Sequence, residues 1–228
     1  MKKPVVDYRQ LRLSNITEPR FRHLLWLLGW VGYFALYFLT ENLIPAENCF
    51  LVHSKLDDLI PFCEYFALFY TGWYVLIVVS LLYFGLYNPK SFAELQKYII
   101  ITQAVAMACY ILIPTRQDLR PETFPRENIF SWIMGLIYSF DTSTGVCPSL
   151  HVAYSLGIAS AWLKEKGVHV GTKIFVTVFV FLICISVAFV KQHSVIDIFA
   201  AIPLGILAEA VVYGKSYWLP KIKKSAAF

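Results

Sequence analysis

Residues 173–191 read KIFVTVFVFLICISVAFVK, so that positions 174–190 carry no charge and lie between two lysines. As an α-helix this run extends about 26 Å, close to the roughly 30 Å hydrocarbon core of a bilayer. Apolar residues occupy every side of such a helix, which leaves no face suited to water and marks a helix buried on all sides or placed in lipid. Lys173 and Lys191 then belong at its two ends.

The same reading extends outward along the chain. Comparable apolar runs cover Leu24–Thr40, Phe62–Tyr87 with only Glu64 interrupting, Tyr98–Pro114 without any charge, Leu150–Leu163, and Ser194–Tyr213 with only Asp197 and Glu209. Of the 228 residues 58% are hydrophobic and 15% charged, whereas soluble domains carry about 25% charged residues. A globule of this size has too much surface for its volume to hide so much apolar side chain. The expectation is an all-α polytopic membrane protein: six transmembrane helices within residues 24–214, a basic tail at 1–23 and another at 215–228. The first run starts late and has no small-residue cleavage site after it, so it reads as a retained span rather than a signal peptide.

Orientation follows from lysine and arginine. Six spans put both tails and the segments near 88–97 and 164–173 on one side, with 15 of the 20 Lys and Arg residues; Lys55, Arg116, Arg120, Arg126 and Lys191 fall on the other. Positively charged loops stay cytoplasmic. Both termini are therefore expected inside, with the loops 41–61 and 115–149 and the turn near Lys191 facing outward. Within the second of these loops, Ile129–Phe140 is apolar, too short to span, and contains Trp132 and Tyr138, which suits a helix lying in the membrane interface.

The outward side also collects the polar chemistry. His193 and Asp197 stand four residues apart, on one face of a helix. A carboxylate there fixes the imidazole tautomer and leaves its other nitrogen free for chemistry, although the pair can equally cap the sixth helix. His151 follows Pro148 and Ser149, residues that suit a helix start, and such an N-terminus favours an anion such as phosphate. Taken alone, His151 reads as an interfacial histidine after an ordinary cap. Two histidines, a carboxylate and several arginines converging on one side argue against that ordinary reading. Asp141, ten residues before His151, can bind a head group or simply begin the loop, and the loop reading is preferred. Of the five cysteines, Cys49, Cys63 and Cys147 lie outward or interfacial, where a disulfide is permitted but no spacing compels one. The basic N-terminal tail suits anionic lipid or serves as topology determinant. No carboxylate cluster suggests a metal, and no motif suggests a nucleotide or nucleic acid.

Pro148-Ser149-Leu150-His151, followed by His193 and Asp197, resembles the second and third motifs of the type 2 phosphatidic acid phosphatase superfamily, over roughly residues 110–205. Arg120-Pro121 fits the R-P of the first motif, but Ile113 stands at its lysine position and Val187 at the arginine of the third. Leu150 replaces the usual glycine and is similar to the inositol phosphorylceramide synthase-like branch. The resemblance implies His193 as nucleophile, Asp197 as its orienter and His151 as acid and then base. It places Arg120, Arg116, Ser149 and Lys191 on the phosphate oxygens, with no cofactor or metal. It implies a lipid phosphatase acting on a phosphatidate-like or polyprenyl substrate at the outer membrane face, with head-group transfer to a lipid alcohol as the alternative. A transporter or lipid-binding protein fits less well, because transporters place ionisable groups near the midplane. Small size and the lack of an organellar address suggest a bacterial plasma membrane. Oligomeric state has no signature in the sequence.

Overall fold

The computed structural model describes residues 4–225. It is almost wholly helical: α1 (Leu28–Leu43), entered through a 3-10 stretch at Arg22–Leu27, then α2 (Lys55–Leu59), α3 (Ala67–Tyr87), α4 (Pro89–Leu112), α5 (Ile129–Phe140), α6 (Leu150–Lys164), α7 (Val170–Phe189), α8 (Val195–Tyr213) and α9 (Leu219–Ser225). Two short strands, β1 (Phe50–Leu51) and β2 (Thr115–Arg116), pair in parallel, and Arg116 bridges Thr144 on its other side. These ladders tie three loop segments together at one end of the bundle.

Among the described residues, five helical stretches, 22–43, 64–87, 89–112, 170–189 and 195–225, are long and apolar enough to cross a membrane. The chain is a membrane protein by that measure. The run read as a fourth span, α6, is not among the five: its 15 residues reach about 22 Å, short of the hydrocarbon core. Its surroundings explain the length. It packs against α3, α4, α7 and α8, and most of its side chains are buried, so protein rather than lipid satisfies its surface. The contact with α4 is tight: a Cβ on Gly157 would lie 2.4 Å from the Tyr98 ring. The Tyr98 hydroxyl in turn donates to the Gly205 carbonyl of α8 at 3.1 Å.

Three boundaries differ from the sequence expectation. Residues 88–97, read as a loop, belong to α4: Asn88 accepts the Ser91 N–H and Pro89 occupies the first helical position, which starts a helix despite the charged residues that follow. Residues 4–27 fold against the α3–α4 junction instead of trailing as a simple tail. Val5 N–H donates to Leu86 O, Tyr8 bonds both Gly85 O and His23, and Phe21 is fully buried. At the far end, α8 continues through a π-turn at Gly214–Trp218 into α9, so residues 215–225 are helical. The segment Ile129–Phe140 is a helix with the expected bounds, started by Asn128, whose side chain accepts the Phe130 and Ser131 N–H groups.

Candidate active site

The site grows from the turn between α7 and α8. Lys191 has φ +52°, a left-handed conformation that a non-glycine residue keeps only when its surroundings hold it. They do so on two sides. The N–H groups of Gln192 and His193 both donate to Val187 O, and the Lys191 ammonium donates to the carbonyls of Asp57 and Ile60 at 2.8 and 2.5 Å. The turn then runs into α8, where Ser194 is the cap: its hydroxyl accepts the Ile196 N–H and its own N–H donates to Asp197 Oδ2 at 3.0 Å. The same Oδ2 lies 3.2 Å from His193 Nδ1, so the spacing of four residues forms the expected pair and leaves Nε2 outside it.

His151 enters from α6. The Ser149 N–H donates to the Asp197 carbonyl at 3.1 Å, which joins the starts of α6 and α8 and sets the two imidazole centroids 5.9 Å apart. The Ser149 hydroxyl does not cap α6, as the sequence suggested it would; it is buried and without a hydrogen-bond partner. On its other side His151 lies against Tyr70 and Trp73 of α3, at centroid distances of 4.4 and 4.1 Å. Its Nε2 is buried and makes no hydrogen bond.

Both rings border a cavity of about 460 Å³. Trp30, Tyr33, Phe34 and Tyr37 of α1 line it, as do Trp73, Tyr74, Ile77 and Val78 of α3, Leu150 and Tyr154 of α6, and residues 140–142 and 144–146, which form its rim. Phe34, Tyr74 and Val78 are also exposed on the outside of the bundle. Asp141, read from sequence as a loop start, belongs to this cavity: it accepts from the Tyr37 hydroxyl at 2.9 Å and from Gln192 Nε2 at 3.1 Å. Behind the rim, Glu41 accepts from the Thr142 and Thr144 hydroxyls.

The basic residues chosen for the phosphate separate here. Arg120 does not line the cavity but holds residues that do: its guanidinium donates to Asp141 O, Thr142 O and Gln192 Oε1 at 2.9, 2.7 and 2.6 Å, covers the Tyr138 ring, and keeps a buried Nε without a partner. Its reach toward the histidines thus passes through Gln192. Arg116 pairs in the β ladder and does not border the cavity. Lys191 does not border it either, because its ammonium is spent on the carbonyls at the end of α2. Burial lowers the Lys191 pKa, and Asp57 and Asp58 oppose that shift. Burial, with Asp197 close by, pushes the Cys147 thiol up to about 12, so it is a neutral neighbour of the pair. All five cysteines are free, and no group of three or more potential metal ligands occurs among the described residues.

Four contributors have no outstanding motif in the sequence. Tyr70 and Trp73 read as span packing, and Gln192 as a polar neighbour of His193. Asp57 carries a signal for one of its roles: Ser54 three residues earlier makes a capping box with it, with Asp57 accepting the Ser54 N–H. Nothing local announces its bonds to Ser194 Oγ at 2.6 Å and Val195 N–H at 2.8 Å. Searched against family models, curated proteins and solved structures, the chain matches none.

Proposed function

We propose that the chain is an integral membrane lipid phosphatase with a histidine nucleophile. The observation that carries this reading is the asymmetry of two imidazoles on one cavity: His193 has a carboxylate on Nδ1, whereas His151 is packed between aromatic rings with Nε2 unpartnered. Environments that differ so sharply suit different tasks. His193 Nε2 attacks phosphorus and the bond to the lipid oxygen breaks, while His151 delivers a proton to that departing alkoxide. Asp197 stabilises the charge that develops on the His193 ring. A water then attacks the phosphohistidine, His151 takes its proton, the P–N bond breaks and phosphate leaves. Arg120, whose guanidinium holds Gln192 and Asp141 at the cavity, and the unpartnered Ser149 hydroxyl beside the start of α6 are the groups assigned to the developing negative charge.

The substrate is a phosphomonoester or diphosphate of a lipid, phosphatidate-like or polyprenyl. The aromatic walls on α1 and α3, with outer residues exposed on the bundle surface, support a ligand whose chains remain in the bilayer. In this reading α6 is a sixth, protein-enclosed span, α5 lies in the membrane interface, both termini are cytoplasmic, and the site faces outward across a bacterial plasma membrane. The lysine and arginine distribution supports that orientation. Transfer of a phospho-head group to a lipid alcohol is the second reading, favoured by Leu150 in the cavity wall beside His151, where an apolar side chain disfavours water.

The test is phosphate release from purified protein with phosphatidate and polyprenyl diphosphate, beside His193→Ala. Release by wild type and none by the variant is expected. A phosphorylated lipid product without free phosphate selects the transferase, and equal behaviour of the two proteins in both assays rejects His193 as nucleophile.

A further inference from the structure

Lys191, Gln192, His193 and Ser194 are four successive residues between two helices, and their conformation includes a left-handed Lys191. Such a turn does not hold itself. What backs it is α2, a five-residue helix in the loop after α1, and above all Asp57, which is almost fully buried. Its carboxylate takes the Ser194 hydroxyl on Oδ2 and the Val195 N–H on Oδ1, while its own carbonyl receives the Lys191 ammonium. One residue therefore grips the turn on both sides of His193.

We infer that Asp57 is a positioning residue for His193, an assignment that rests on the phosphoryl-transfer reading above. The route is short. Accepting the hydroxyl proton turns the Ser194 oxygen's free lone pairs toward Ile196 N–H. The backbone so fixed sends the Ser194 N–H onto Asp197 Oδ2, the oxygen that faces His193 Nδ1. The Val195 bond anchors the next peptide. Loss of the carboxylate leaves the sequence of α8 intact but releases the angle at which His193 meets phosphorus. An in-line attack is sensitive to that angle, whereas the apolar walls that hold the lipid are made by other helices and are not touched. The signature is thus a fall in kcat with KM preserved.

The experiment compares wild type, Asp57→Asn, Ser194→Ala, the double variant, His193→Ala and the surface control Asp58→Asn, all as full-length protein in detergent micelles with dioleoyl phosphatidate. Asp57→Asn is expected to lower kcat about 30- to 100-fold, the scale on which small misplacements of a reacting group act, with KM within about twofold of wild type. Ser194→Ala lowers kcat in the same sense by a smaller factor, and it serves as the test if Asp57→Asn does not fold. Because the Ser194 hydroxyl reaches Asp57 through the bond that Asp57→Asn already weakens, the losses are less than multiplicative in the double variant. Inhibition by orthovanadate, a mimic of five-coordinate phosphorus, weakens in step with kcat. Wild-type kcat in Asp57→Asn or in Ser194→Ala, a rise in KM alone, or losses that multiply in the double variant would each overturn the assignment. His193→Ala separates the two levels: if it remains active, the phosphoryl-transfer reading fails, and if it is dead while Asp57→Asn is normal, only the positioning role fails.

Discussion

His151 and His193 share a side chain and a cavity, and the neighbours of each decide what it can do. Only His193 has a carboxylate at hydrogen-bond distance; His151 has tyrosine and tryptophan rings. A group that protonates the leaving oxygen matters in proportion to how badly that oxygen leaves. His151→Ala should therefore cost about 10³-fold in kcat/KM, which reports the step that expels the leaving group, on phosphatidate but about tenfold or less on a 4-nitrophenyl phosphate ester, whose leaving group needs no proton. Equal losses on both substrates would remove His151 from the acid role. At this scale the sequence is most legible where partners are close along the chain, as with His193 and Asp197. It is silent where they are distant: Asp57 meets Ser194 across 137 positions. Lys191 illustrates the opposite error, since a cation two residues from His193 reads as a phosphate ligand until the left-handed turn sends its ammonium to α2.

Among the elements, local chemistry again separates what was legible from what was not. The bounds of α5 follow from an asparagine cap and a largely apolar, uncharged run, and both are visible in the sequence. The start of α4 was hidden because Lys90, Glu94 and Lys97 lower the hydropathy, while the asparagine–proline cap at 88–89 sets the boundary. The contact between α4 and α6 depends on Gly157, which no periodicity singles out. With a Cβ 2.4 Å from the Tyr98 ring, Gly157→Ala should destabilise the fold by about 1–3 kcal/mol, the usual cost of overpacking. Thermal unfolding in detergent measures it, and an unchanged midpoint would show that Tyr98 can move aside freely. Small residues at such crossings matter more in membranes, where van der Waals packing is a main source of helix association.

For the whole molecule, composition announced the helical membrane class, and the five long apolar helices agree with it. The bundle collects its site at one end: the starts of α6 and α8 join through Ser149 and Asp197, α4 reaches the same end through the Tyr110 hydroxyl on Pro148 O, and α3 meets the end of α7 through Cys63 and Phe189. The basic residues sit mainly at the other end, which gives a test of orientation. In a cysteine-free background, a membrane-impermeant maleimide applied to intact cells should label Glu122→Cys and spare Lys166→Cys. Equal labelling would reject the six-span arrangement. The short, enclosed α6 has a consequence for biogenesis. A helix of 15 residues with most of its surface claimed by neighbours has little to gain from partitioning into lipid by itself. Its most extensive neighbour is α7, joined to it by only the residues 165–169. During synthesis α6 would therefore wait at the translocon until α7 emerges and enter as half of a hairpin, so that a ribosome stalled before residue 170 would leave the histidine-bearing helix outside the bilayer.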